Sequence, residues 1–148
     1  MQERFETFTV LINRISRSIR KIKIQEMAEY GLRSAHVSCL YYIYILDNAT
    51  ATDLCERCEE DKATISRALE YLESGGFITR AAESAKRYKS PLRLTELGRE
   101  VGEKIAYKID GVLDEISGSL TEEERVAFYR SLSIISESLE AVSRNSEK

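Results

Sequence analysis

Long apolar runs are missing from this chain. No uncharged stretch approaches the roughly 18 apolar residues that a membrane-spanning helix requires, and the charged start, MQERFETF, lacks the apolar core of a signal peptide. The expectation is a cytoplasmic protein with no membrane partner. Histidine is nearly absent: His36 is the only one, so a histidine-based relay has a single candidate base. No glycine-rich phosphate loop occurs, and an enzyme is the remote reading; no cofactor and no metal are expected. Cysteines number three, an odd count without an export signal, which points to reduced thiols rather than a disulfide framework. Pro91 is the one proline. It cannot donate a ladder hydrogen bond and implies an edge strand. Internal repeats and low-complexity linkers are lacking as well.

What is present is charge-rich and helix-patterned. At 148 residues, 43% hydrophobic and 32% charged, the chain can bury a core and is not wholly disordered. Phe5, Phe8, Ile12, Ile15, Ile19 and Ile22 repeat at alternating spacings of three and four. This heptad seam predicts a helix over 3–24 that seeks a partner helix. After a break at Tyr30-Gly31, a second helix is predicted over 34–46, with Val37, Leu40, Ile43 and Tyr44 on one face. Thr50-Ala51-Thr52-Asp53 fits a capping box that opens a short helix over 51–58. Asp61 has the type and place of the next N-cap, and Ile65, Ala68, Leu69 and Leu72 form the apolar stripe of a helix over 62–74. Gly75-Gly76 end it, because glycine accepts the left-handed conformation. Phe77–Ala82 and Leu92–Leu94 read as a β-hairpin around a polar, basic loop. Thr95 begins a fifth helix, lined by Leu97, Val101, Ile105, Ile109, Val112 and Ile116. The capping box Thr121-Glu122-Glu123-Glu124 opens a last one, lined by Phe128, Leu132, Ile135, Leu139 and Val142.

The net charge is −3, which argues against indiscriminate nucleic-acid binding, but the charges are segregated. Residues 62–93 carry seven Lys/Arg against three Asp/Glu, whereas the preceding 25–61 carry two against eight. A local basic block inside an acidic protein is what a phosphate backbone would feel; an ordinary solvated surface is the competing reading. Within that block, Ala63, Arg67, Glu70 and Ser74 lie opposite the apolar stripe at 100° per residue, with Thr64, Ser66 and Tyr71 flanking. The exposed start of this helix, Lys62, Ala63, Thr64, Ser66 and Arg67, is small, hydroxylic and basic. Small side chains let a helix sink into the major groove of duplex DNA, arginine can fork onto guanine, and hydroxyls reach bases or phosphates. Lys86, Arg87 and Lys89 at the hairpin tip have the charge to reach the minor groove or phosphates. A helical hairpin with a basic loop, or a scaffold that binds protein, stands as the alternative.

The order helix-turn-helix-hairpin, and in particular Asp61-Lys62-Ala63-Thr64-Ile65-Ser66-Arg67-Ala68-Leu69, Leu72-Glu73-Ser74-Gly75-Gly76-Phe77-Ile78-Thr79-Arg80 and Leu94-Thr95-Glu96-Leu97-Gly98-Arg99, resembles the MarR family of winged helix-turn-helix transcription regulators. The likeness covers about residues 31–100. It implies a mostly α fold: a single domain over 1–148, with dimerisation helices in 1–30 and 100–148 and a winged DNA-binding lobe in 34–99. It also implies a homodimer on palindromic double-stranded DNA, and repression released by a small ligand or by oxidation. One departure stands out. Where the family carries an aspartate ahead of its basic wing residues, this chain has Lys86.

Cys55-x-x-Cys58 resembles half of a zinc or redox motif, and His36 with Cys39, one helical turn apart, would complete a four-ligand set. The competing and preferred reading makes Cys39, Cys55 and Cys58 small apolar packing residues; a thiol- or metal-responsive sensor is the alternative. Tyr30, Tyr41, Tyr42 and Tyr44 cluster near the end of the first helix and along the second. Tyr30, His36 and Tyr41 are therefore candidate lining for a pocket that takes a small aromatic or phenolic ligand, where the resembled family tends to place effectors. Core and interface packing is the alternative.

Overall fold

The computed structural model describes residues 2–58, 60–80 and 89–146. The chain divides into two compact units, Met1–Lys108 and Ile109–Lys148. The first begins with α1 (Gln2–Glu26), a single 3₁₀ turn at Ala28–Tyr30 and α2 (Ser34–Ile45). It continues through α3 (Ala51–Cys58), α4 (Lys62–Ser74), β1 (Ile78–Thr79) and β2 (Arg93–Leu94) into the start of α5 (Glu96–Ser117). The second unit holds the rest of α5 and α6 (Glu122–Ser146).

Local chemistry sets most of these boundaries. Gly31 adopts φ 68°, the left-handed region that stops the 3₁₀ turn. Thr50 and Asp53 close the predicted capping box: the Asp53 carboxylate accepts from the Thr50 amide at 2.8 Å, and the Thr50 hydroxyl accepts from the Asp53 amide at 3.2 Å. Asp61 caps α4 by accepting from the Thr64 amide at 2.7 Å. Thr121 and Glu124 form the reciprocal pair that opens α6. The end of α4 differs in one detail from the expectation. Gly75 stays right-handed at φ −77°, and Gly76 takes the left-handed turn at φ 78°. The Gly76 amide donates to the Glu73 carbonyl and the Phe77 amide to the Leu72 carbonyl, a Schellman motif that needs its left-handed residue one position later.

The core of the first unit is built by α2, α3, α4, the hairpin and the start of α5. Leu40, Leu54, Ile65, Leu69, Leu72, Ile78, Val101 and Ile105 are buried in it. At 1.5–3 kcal/mol for each large apolar side chain, roughly, these eight outweigh any polar contact in the unit. The hairpin is antiparallel, with Ile78 opposite Leu94 and Thr79 opposite Arg93. The edge position inferred from Pro91 holds: among the described residues β2 pairs with β1 in a two-stranded sheet. Immediately after the proline and just before β2, the Leu92 amide donates to the Ala49 carbonyl at 2.8 Å. The α5 stripe is graded rather than uniform: Val101 and Ile105 are buried, Ile109 and Val112 half-buried, and Leu97 and Ile116 exposed.

In the second unit, α6 leaves Phe128, Leu132, Leu139 and Val142 exposed, with Ile135 half-buried. On α1 the seam residues Phe8, Ile12, Ile15 and Ile19 are exposed too. No helix among the described residues is long and apolar enough to cross a membrane.

Candidate nucleic-acid interface

The cap and the stripe together orient α4. Asp61 fixes where the helix starts, and burial of Ile65, Ala68, Leu69 and Leu72 fixes its rotation. Lys62, Ala63 and Arg67 are then exposed, with Thr64 and Ser66 half-buried beside them, as their spacing predicts. Backbone and side-chain hydrogen bonds from Thr64 hold the Asp61 carboxyl below the usual carboxylate range, so the cap stays ionised at neutral pH. Arg67 lies one turn further on, and its guanidinium donates to the Thr64 hydroxyl at 3.3 Å. The arginine is thereby steered along the N-terminal half of the exposed face.

At the base of the hairpin, the Arg80 Nε lies 3.4 Å from a Glu73 carboxylate oxygen, and the Arg80 side chain is largely buried. This pair links β1 to the last turn of α4. Sequence spacing assigned it no role, because an Arg–Glu pair seven residues apart across a turn has no periodic signature. Lys89 is exposed. Lys86 and Arg87, the other two expected hairpin-tip residues, lie outside the described residues.

A family model described as MarR family matches residues 30–87, which takes in α2, α3, α4 and β1. A curated relative, an uncharacterised HTH-type transcriptional regulator of Bacillus subtilis (strain 168) called YdgJ, is 27% identical over 95 residues. The match covers 64% of this chain and 58% of that protein. The solved structure of MarR is 30% identical, with a TM-score of 0.70, covering 93% of this chain and 92% of that one. This chain belongs to the MarR family. The fold of this winged-helix transcription regulator is shared with a Staphylococcus aureus MepR–DNA complex, with a TM-score of 0.79 at 22% identity, covering 89% of this chain and 97% of that one.

The residues expected to line an effector pocket in this MarR-family protein engage different partners. Tyr30 is half-buried, and its hydroxyl accepts from the Lys104 ammonium at 2.6 Å. That bond, with a second to Glu100, pushes the Lys104 pKa up. Lys108 pairs with Glu26, a second tie between α5 and the end of α1. Tyr41 packs edge-on against Tyr42 with ring centroids 5.2 Å apart. His36 is stacked on Tyr71, and its Nδ1 accepts from the Arg33 amide at 3.0 Å. Burial, with the neighbouring Arg33, lowers the His36 pKa, so the ring is neutral at pH 7.

That orientation turns His36 to Tyr71 rather than into a ligand set with the cysteines. Among the described residues no three His, Cys, Asp or Glu side chains converge in a metal-binding group. Cys39 is buried in α2. Its thiol hydrogen-bonds the Cys58 sulfur at the end of α3, and this bond, with burial, pushes Cys39 up. The same bond lowers Cys58, aided by the Lys23 charge, while burial pushes Cys55 up. The thiolate is the reactive form. Iodoacetamide should therefore modify Cys58 first, Cys55 next and Cys39 last, and only after unfolding. Peptide mass mapping of a time course checks this order; early loss of the Cys39 thiol would contradict it.

Proposed function

We propose that this MarR-family regulator binds palindromic duplex DNA as a homodimer and represses transcription until a small effector releases it. The observation that carries the reading is the α4 surface: a capped helix whose exposed N-terminal half presents Lys62, Ala63, Thr64, Ser66 and Arg67 while its opposite face is buried. Helix-turn-helix proteins lay such a helix in the major groove with its N-terminal residues at base edges. MepR, which shares the fold, was solved as a DNA complex, and this supports DNA as the partner. Lys89, with Lys86 and Arg87, would serve phosphates or the adjoining minor groove. The exposed apolar faces of α1 and α6 support a second copy of the chain as partner. A small aromatic ligand near Tyr30, His36 and Tyr41 is the effector class that their rings favour. The curated relatives are named as transcription regulators, and no catalytic role is proposed.

The test separates base reading from phosphate neutralisation. A duplex selected from a random-sequence pool and a scrambled duplex are each titrated across salt with the parent, Arg67→Ala and Arg87→Ala. A bidentate arginine–guanine pair discriminates by about 1–3 kcal/mol. Arg67→Ala should lose roughly that on the selected duplex and relax one position in each half-site, with little change on the scrambled one. Arg87→Ala should weaken both alike and reduce the salt slope by about 0.9 for each phosphate that is no longer neutralised. Equal losses for Arg67→Ala on both duplexes would reverse the roles. If neither variant differs from the parent, the DNA surface lies elsewhere.

A further inference from the structure

Tyr71 leaves α4 on its flank and reaches back to the turn between α1 and α2. Its hydroxyl donates to the Gly31 carbonyl at 3.0 Å, and its ring lies over His36 at a centroid separation of 4.2 Å and an interplanar angle of 4°. The residue is 44% exposed, so burial alone does not account for its place. Both partners are held. His36 is fixed by the bond from the Arg33 amide to its Nδ1, which leaves a ring face for stacking. Gly31 is left-handed, and a Cβ built on it would stand 3.1 Å from the Tyr71 hydroxyl, so the close approach of the carbonyl depends on glycine. The other side of the same turn is tied to α5, through Tyr30 with Lys104 and Glu26 with Lys108. The turn is thus a joint between α1, α5 and the helix that carries Arg67.

We propose that Tyr71 is a positioning residue for DNA recognition: it locks α4 to the α1–α2 turn, so that the setting of that turn decides how α4 meets the groove. The proposal rests on the DNA-binding reading above. Its physical basis is a difference in directionality. The stripe Ile65, Ala68, Leu69 and Leu72 holds α4 by apolar packing, which fixes a face but resists small rotations and shifts weakly. A hydrogen bond and a parallel ring stack constrain distance and angle together. Side chains reading base edges must be placed to within a fraction of an ångström, whereas phosphate contacts tolerate more. Loosening the lock should therefore cost sequence discrimination before it costs general affinity.

His36 supplies a direct probe, since the only histidine in the chain gives one assignable set of imidazole lines in a proton NMR spectrum. In the parent these lines should carry the upfield ring-current shift of the Tyr71 stack. Tyr71→Leu should return them towards their free positions, while Tyr71→Phe keeps the stack and loses only the hydrogen bond. One net hydrogen bond corresponds to about a threefold to tenfold change in affinity. Tyr71→Phe should lose that factor on the selected duplex, with the scrambled duplex and the salt slope unchanged. Gly31→Ala, which strains the same contact from the other side, should reproduce the loss, and thermal melts should show all three variants folded. If Tyr71→Phe binds the selected duplex as the parent does, or loses equally on both duplexes, the positioning role is overturned while the DNA-binding reading stands. A parent that binds neither duplex overturns the DNA-binding reading, and the proposal with it. An unshifted His36 line in the parent removes the stack and, with it, the lock.

Discussion

A double variant, Ile15→Asp with Leu139→Asp, is expected to yield unfolded or aggregated protein, while the parent sediments as a dimer at micromolar concentration. Ile15 is 53% exposed on α1 and Leu139 52% exposed on α6, each within a row of exposed large apolar residues. On α1 that row is Phe8, Leu11, Ile12, Ile15 and Ile19; on α6 it includes Val126, Phe128, Leu132, Leu139 and Val142. A folded soluble monomer seldom leaves two such faces to water. The heptad spacing of α1 also suits packing against another helix. Each aspartate would occur twice in a symmetric dimer, placing four carboxylates in apolar surroundings at several kcal/mol each, roughly. The two carried by each protomer cost an amount comparable to the 5–15 kcal/mol or so by which a typical domain is stable. Sedimentation of the parent as a folded monomer at micromolar concentration would refute the dimer. A double variant that still sediments as a folded dimer would place the interface elsewhere.

Gly98→Ala is expected to be the most damaging single-methyl change in the first unit. A Cβ on Gly98 would fall 1.8 Å from the Phe77 carbonyl oxygen, far inside van der Waals range, and 3.2 Å from Leu94. The obstacle is backbone, and it is pinned: the Thr95 amide donates to that carbonyl at 3.1 Å, while the Thr95 hydroxyl donates to the adjoining Gly76 carbonyl at 2.6 Å and caps α5 by accepting from the Gly98 amide at 3.0 Å. Relief would require α5 to move off the hairpin and break these bonds. A cost of about 3 kcal/mol or more follows for overpacking against backbone, which lowers Tm by roughly 6–12 °C for a chain of this size. Gly111→Ala is the control. It also lies in α5, but no atom stands within 4 Å of its added Cβ, and the change should stabilise by about 0.5–1 kcal/mol through helix propensity. Differential scanning calorimetry of the two variants should show opposite shifts of Tm. A Gly98→Ala protein that melts with the parent would mean that α5 is not docked as described.

The elements and their order were legible in the sequence, because they depend on chemistry within a few residues. The caps at Thr50, Asp61 and Thr121, the glycine stop after Ser74 and the 3.6-residue stripe of α4 are all short-range, so 51–58 and 62–74 could be placed to the residue. The same local periodicity put Lys62, Ala63 and Arg67 on the exposed side, since fixing the buried face of a helix fixes the opposite one. What meets across large separations in sequence emerged only from the folded chain. Tyr71 bonds Gly31, forty residues away, and Lys104 bonds Tyr30, seventy-four away. Cys58 pairs with Cys39 on another helix, although Cys55 is its nearer neighbour in the motif. No spacing rule reports such pairs, because they follow from how whole helices cross once their apolar faces are buried. The same reason hid the packing role of Gly98: a glycine in the first turn of a helix does not show why it is there until the carbonyl of Phe77 is seen occupying the place of its missing side chain.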